Sequence, residues 1–310
     1  MRRGALVVAM VFAALAAGAL GGGEARGAVV LGIADQKAET FSDPRLHALG
    51  MRRARIAVSW DVLEIGYERE RLDRWLAAAL GRGVEPLVSF QHSARQRRSL
   101  PSPVELTEQF LAFRKRYPQV TQFATWNEAN HCGQPTCHRE KLVAAYYRKL
   151  RQGCPKCTIL AVELLDMPNM MGWMQRFRRY AKVEPKHWGL HNYVEANRFR
   201  STRLRSLLRR VKGQVWLTEV GGLVRRRTKR KRYTVKRIPE SPAHAKRVTD
   251  YLFKELLPSD RRLTRVYLYH WNSSSPADTW DSALIGPDGE RRPAYWVLVR
   301  KMRSLQAARR

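Results

Sequence analysis

Short apolar runs, each closed by turn residues or by a stretch with helical spacing, recur eight times along the chain. They cover 28–34, 54–60, 85–90, 121–126, 158–163, 187–191, 214–218 and 265–271. Each is too short for a buried helix and rich in β-branched or aromatic side chains, so each reads as a strand covered on both faces. Between most neighbours lies a segment with apolar positions three and four apart: 68–80, 103–116, 140–152, 173–181, 201–210 and 243–257. Gly81, Gly83, Gly153 and Gly213 fall where helices end and the chain turns back into a strand. Strands alternating with helices imply a parallel sheet clad in helices. Eight such units predict an α/β chain forming a single closed (β/α)8 TIM barrel. A doubly wound open sheet is the alternative. It would carry a glycine-rich phosphate loop after the first strand, and Gly32-Ile33-Ala34-Asp35-Gln36 has no such motif.

A length of 310 residues, 44% hydrophobic with nine tryptophans, suffices for one barrel. The first residues stand apart from it. Arg2 and Arg3 precede an apolar stretch from Ala5 to Leu20, followed by small residues and a cleavage point near Ala25 or Ala28. This reads as a secretory signal peptide over 1–28, with the barrel over 29–310. An uncleaved anchor is the alternative, weakened because the run falls short of the roughly 20 residues that a span needs. The paired arginines hint at twin-arginine export. No later segment is long and apolar enough for a membrane span, so the mature chain is expected to be secreted or associated with the cell wall.

Export makes disulfides the default for the four cysteines. Cys132 and Cys137 are spaced C-x4-C, Cys154 and Cys157 C-x2-C, and with His131 and His138 nearby the set also resembles a zinc site. Chain order argues against one shared metal. The first pair follows the carboxyl end of a strand and the second precedes the amino end of the next, which are opposite faces of a barrel. Two local disulfides, Cys132–Cys137 and Cys154–Cys157, are expected, with no metal.

Charge adds a second theme. Lys and Arg number 58 against 27 Asp and Glu, a formal net charge of +31. Such a field attracts polyanions and is sensitive to salt. The densest run, Arg225-Arg226-Arg227-Thr228-Lys229-Arg230-Lys231-Arg232, continues to Lys236 and Arg237. Read functionally, segment 225–237 recruits an anionic polymer to the mouth of a site; read blandly, it is a solvated loop in a chain rich in arginine throughout. Motifs for specific nucleic-acid reading are missing.

In a barrel the working residues collect at the carboxyl ends of strands. The fourth and seventh runs each lead into a glutamate: Thr125-Trp126-Asn127-Glu128 and Val215-Trp216-Leu217-Thr218-Glu219. Two carboxyl groups facing each other across a cleft are the minimum equipment for hydrolysing a glycosidic bond. The other ends are polar and aromatic: Ser59-Trp60-Asp61, Phe90-Gln91-His92, His191-Asn192-Tyr193 and His270-Trp271-Asn272.

This combination resembles the clan A glycoside hydrolases, retaining (β/α)8 enzymes that include families 5 and 39. That clan ends its fourth strand on an Asn-Glu pair, matched by Asn127-Glu128, and its seventh on a nucleophilic glutamate, matched by Glu219. Segment 50–60, Gly-Met-Arg-Arg-Ala-Arg-Ile-Ala-Val-Ser-Trp, resembles the second strand, whose supporting arginine falls on Arg55. His191-Asn192-Tyr193 resembles the sixth-strand His-x-Tyr, and Trp271 the eighth-strand aromatic beneath the sugar. The tail 281–295 is also similar to such barrels. Ala129 departs from the proline many relatives place there, and the basic insertion after Glu219 is unusual.

The resemblance implies a double displacement without metal or organic cofactor. Glu219 would attack the anomeric carbon. Glu128, its pKa raised by its neighbour's charge and by burial, would protonate the departing oxygen and then activate water, the two carboxyl groups standing roughly 5 Å apart. Asn127 would bond the sugar 2-hydroxyl, and Arg55 would hold Glu219 ionised. Trp271 would offer its face to the sugar, with Trp60, His92 and Tyr193 as further subsite contacts. The expected partner is a carbohydrate polymer or oligosaccharide. Two other readings stand: a degenerate barrel that binds glycan at the cell wall without cleaving it, and a polyanion-binding protein built on 225–237.

Overall fold

The computed structural model describes residues 29–227 and 238–308. The expected signal peptide and positions 228–237 of the basic run lie outside the described residues.

Strands β1 (Val30–Ala34), β2 (Arg53–Ser59), β3 (Glu85–Gln91) and β4 (Gln122–Ala124) alternate with helices α1 (Pro44–Ala48), α2 (Gly66–Leu80) and α3 (Pro103–Arg116). Helix α4 (Glu140–Gly153) leads to β5 (Thr158–Leu160) and β6 (Glu163–Leu165), and α5 (Met170–Ala181) to β7 (His187–His191). A short α6 (Tyr193–Ala196) and α7 (Thr202–Arg210) precede β8 (Gln214–Val220). Strand β9 (Arg225–Arg226), helix α8 (Pro242–Tyr251), β10 (Leu263–Tyr269), β11 (Trp280–Asp281) and α9 (Pro293–Ala307) complete the order. Among the described residues no helix is long and apolar enough to cross a membrane.

The main sheet is parallel throughout, in the order β5-β4-β3-β2-β1-β10-β8-β7-β6. Its two end strands, β5 and β6, are consecutive in the chain. They are the two halves of the expected strand 158–163, which breaks at Ala161-Val162 and resumes to Leu165. Bonds from Ala161 N–H to the His187 carbonyl (2.9 Å) and from Glu163 N–H to the Trp126 carbonyl (3.0 Å) carry the pairing round the break. The nine strands therefore act as the eight staves of a (β/α)8 barrel.

Inside and outside alternate along each stave. On β2, Ala54, Ile56 and Val58 join the large core that also holds helix residues such as Leu72, Trp75, Phe110 and Tyr147, leaving Arg55 on the barrel interior. The interior is filled by Ala34, Leu87, Ala124, Leu160, Trp216 and Tyr267, with Tyr269 against them. Two glycines admit large side chains there. A Cβ on Gly32 would lie 2.7 Å from the Tyr267 ring, and one on Gly189 would lie 2.7 Å from Glu163 Cγ.

Other boundaries also differ from the sequence pattern, two of them in the last unit of the barrel. The last strand stops at Tyr269, the final residue in register with β1 at Ala34, and not at Trp271. Beyond it the Trp271 N–H turns to Asp35 Oδ2 (2.8 Å). The expected helix 243–257 is regular only to Tyr251 and continues as a wider turn over Leu252–Leu256. Both expected disulfides are present, Cys132–Cys137 after β4 and Cys154–Cys157 between α4 and β5. Among the described residues, Cys132, Cys137 and His138 form the cluster that could hold a metal, but its two sulfurs are joined to each other.

Candidate active site

Glu219 reaches the cleft through a break in the alternation of β8. Val215 and Leu217 pack outward and Trp216 inward, a parity that would send Glu219 into the helices. The register with β7 slips by one residue, however, from Leu190↔Leu217 to His191↔Glu219, and that with β10 slips to Leu268↔Val220. Thr218 is the extra residue. This β-bulge returns Val220 to the outer core and swings Glu219 inward.

Glu128 arrives by a different device. Trp126 packs outward, stacked on Tyr146 of α4 at 5.7 Å, and Asn127 turns in. Glu128 then adopts φ 45°, the left-handed region that a side chain disfavours. The following loop is tied down by Thr136 Oγ1 donating to the Ala129 carbonyl (3.0 Å) and Asn130 Nδ2 to the Leu165 carbonyl (2.9 Å). Such strain persists only where the surroundings over-determine it.

Between the two glutamates stands His191. Its Nδ1 lies 3.1 Å from Glu128 Oε1 and 3.6 Å from Glu219 Oε2. Arg55 Nη1 donates to Glu219 Oε1, and the Tyr193 hydroxyl donates to Glu219 Oε2 at 3.0 Å. Arg55 Nη2 also donates to Asn127 Oδ1 (2.8 Å), and Asn127 Nδ2 to Gln91 Oε1 (3.3 Å). Beneath them Glu163, wholly buried, takes Arg55 Nε (2.6 Å) and Nη2 together, and accepts Ser89 Oγ at 2.6 Å.

The electrostatics follow from this crowding. Burial opposes the charged form of Arg55, but Glu163 and Glu219 hold its pKa above the ordinary guanidinium value. Burial would raise Glu163, yet Arg55 keeps it well below the usual carboxylate range. His191 is disfavoured as a cation by burial and lifted by Glu219, Glu128 and Glu163 to about 10. Burial also pushes Glu128 up, but the hydrogen bond and charge of His191, aided by His131 and Arg55, outweigh it and leave the carboxyl below its ordinary value. The raised Glu128 pKa expected of a resting general acid is therefore not what the cleft produces, because the neighbour that dominates is a cation. Burial and the charge of Glu219 keep the Tyr193 phenol protonated.

The structure thus brings together Glu128, Glu219, Asn127, Arg55, His191 and Tyr193. It does not bring Trp271, whose expected role needs correction. Trp271 is 1% exposed, donates Nε1 to Asp43 Oδ2 (2.8 Å) and lies edge-on to Tyr295 outside the barrel. Trp60 packs partly buried against the outer core, and His92 is bound to Gln134 Oε1 (3.0 Å) at the rim. The aromatic surface near Glu219 comes from Tyr269 and Trp280. Tyr269 packs on the inner layer with Glu219, after burial, the largest influence on its phenol, and Trp280 meets Tyr193 edge-to-face at 4.9 Å. Trp280 lies on β11, paired with β9, and Arg226 sits over its ring at 5.6 Å, so the described start of the basic run borders this cluster. Sequence reasoning missed Glu163, Ser89, Tyr269 and Trp280; the glutamate that closes the apolar run Thr158-Ile159-Leu160-Ala161-Val162-Glu163 is the one available signal.

No protein-family profile matches the chain, and no curated protein matches it in sequence. Solved structures do match in shape. GH5_18 from Streptomyces cattleya, in complex with GlcNAc, superposes with a TM-score of 0.65 at 15% identity over 91% of this chain and 81% of that one. A fungal β-1,4-galactanase gives 0.64 at 14% identity over 88% and 100%, and xylanase 10B from Thermotoga maritima 0.63 at 12% over 89% and 96%. At these identities the shared property is the fold: the chain has the same TIM-barrel architecture as these three structures.

Proposed function

We propose that the chain is a retaining β-glycoside hydrolase acting on a poly- or oligosaccharide, with Glu219 as nucleophile and Glu128 as acid/base. The observation that carries this reading is the shared imidazole: carboxylates from two different staves reach one nitrogen of His191, while Arg55 and Tyr193 grip Glu219. Glu219 attacks the anomeric carbon as the glycosidic C–O bond breaks, and Glu128 gives its proton to the leaving oxygen. Water then attacks the glycosyl-enzyme ester, losing its proton to Glu128 and freeing Glu219. Asn127 offers Nδ2 to the 2-hydroxyl, its Oδ1 being held by Arg55. Tyr269 and Trp280 supply the apolar surface for the sugar ring.

Both disulfides agree with an exported protein, secreted or bound at the cell wall, with 1–28 as its signal peptide. The basic run, whose described start at Arg226 borders Trp280, draws anionic chains towards the rim. The test is hydrolysis of a glycan panel, with galactan, xylan and anionic wall polymers included, by wild type, Glu219→Ala and Glu128→Ala. Cleavage by wild type alone, with azide restoring Glu219→Ala and yielding a glycosyl azide of inverted configuration, supports the assignment. Variants as active as wild type refute it. Binding without cleavage by wild type transfers the case to the degenerate sugar-binding barrel.

A further inference from the structure

Glu163 has no place in the two-glutamate scheme, yet it is the most deeply held acid of the cleft. It is fully buried, its two oxygens receive Arg55 Nε, Arg55 Nη2 and Ser89 Oγ, and Gly189 leaves the space it fills. Its Oε2 lies 3.6 Å from His191 Nε2, a buried nitrogen with no hydrogen-bond partner. A carboxylate is an expensive thing to bury, and packing alone would be served by an apolar side chain of similar volume.

The groups facing His191 come from five staves. Glu128 follows β4, Glu163 is on β6, Glu219 on β8 and Arg55 on β2, while Tyr193 follows β7 two residues after His191; His131 stands beyond Glu128 at 3.5 Å from its Oε2. Three carboxylates therefore converge on the imidazole with one guanidinium, bonded to Glu163 and Glu219, to offset them, and the imbalance is relieved by a proton on the imidazole. Arg55 is largely answered by Glu163, with which it makes two hydrogen bonds, so His191 is the remaining cation for the reacting pair.

We propose that Glu163 is a positioning residue which, through Arg55 and His191, keeps one transferable proton on the His191–Glu128 pair. This rests on the reading of Glu128 as the acid/base. In the first step the proton passes from Nδ1 to Glu128 and on to the leaving oxygen as the C–O bond breaks, leaving the imidazole neutral with its Nε2–H. In the second step Glu128 takes a proton from the attacking water and returns it to Nδ1, so the inventory closes over one turnover. The elevated pKa of His191 accords with this arrangement. The alkaline limb of activity then reports loss of the proton shared by the pair, not the titration of an isolated glutamic acid.

The experiment follows the imidazole 15N shifts of His191 and the pH dependence of kcat/KM in the full chain, for wild type, Glu163→Gln and Glu163→Asp. In Glu163→Gln the imidazolium should lose its proton about 1 pH unit lower or more, with the alkaline limb moving by the same amount. Glu163→Asp, which keeps the charge, should restore most of both shifts. An His191 titration that is the same in Glu163→Gln and wild type overturns the proposal. Should Glu163→Gln fail to fold, wild type still decides: His191 carrying a single proton near pH 8, above the ordinary imidazole value, overturns it, and a doubly protonated ring supports it. These shifts need no substrate. A wild type that cleaves no glycan would defeat the hydrolase reading without touching the His191 measurement.

Discussion

Glu163 on β6 and Gly189 on β7 are partners in register, and the space between them holds one side chain only. A methyl group on Gly189 would also come within 3.0 Å of the Val162 carbonyl and 3.1 Å of Thr218 Oγ1. Gly189→Ala must therefore displace Glu163, the Ala161-Val162 break or the β8 bulge. It is expected to lose about 1–3 kcal/mol of stability, read from the urea midpoint, together with most of its activity. A midpoint equal to that of wild type would show that the interior is looser than described.

Tyr193 holds Glu219 from the side opposite Arg55. Tyr193→Phe keeps the ring against Trp280 and removes only the hydroxyl. A hydrogen bond to a charged group is worth about 1.5–3 kcal/mol, so kcat/KM should fall roughly 10- to 100-fold. Steady-state kinetics with an unchanged melting temperature would agree, and an unaltered kcat/KM would remove Tyr193 from the machinery.

Tyr269 takes the place on the inner layer that the resemblance gives to Trp271, which packs in the outer core. Trp271→Ala is expected to cost about 3–5 kcal/mol of stability. Tyr269→Ala is expected to raise KM for a glycan while costing far less in unfolding. Denaturation and kinetics on both variants check the exchange, which is refuted if Trp271→Ala is stable and raises KM instead.

Stability should peak in mildly acidic solution. The folded pKa of Glu163 is depressed below its ordinary 4.5, so its contribution is complete above pH 4.5 and drains away as the pH falls. That of His191 is raised from 6.5 to about 10, so its contribution is complete below pH 6.5 and is lost as the pH rises through that window. Melting temperatures recorded against pH should form a dome between these limits, and His191→Asn should flatten its alkaline side. An alkaline decline of equal size in that variant would show that His191 is not its source.

Much of this architecture is legible in the chain because staves clad on both faces are near-continuous apolar runs. The helix at 103–116 coincides with α3, since Pro103 and the reciprocal bonds of Ser102 and Glu105 mark its start unambiguously. The proposed reacting pair is legible too, as glutamates that close such runs. What escapes is whatever depends on distant partners. Glu163 owes its meaning to Arg55, 108 residues away, and Ser89, 74 away. Tyr267, Tyr269 and Trp271 keep period two, so nothing local shows that the strand ends between the last two; Asp35, on the opposite side of the barrel seam, decides it. The depressed Glu128 pKa has the same origin, for it depends on where His191 comes to rest.

The extra residue at Thr218 has a consequence beyond aim. Along a stave, facing in or out is a matter of odd and even, and the bulge is a single step of phase inserted just ahead of Glu219. Substitutions leave that phase untouched, whatever they do to strength or fit. Gain of one further residue between Leu217 and Glu219 would shift it, turning the carboxylate towards the helices and every side chain after it with it. The position of this glutamate is thus protected against changes of letter and exposed to changes of count.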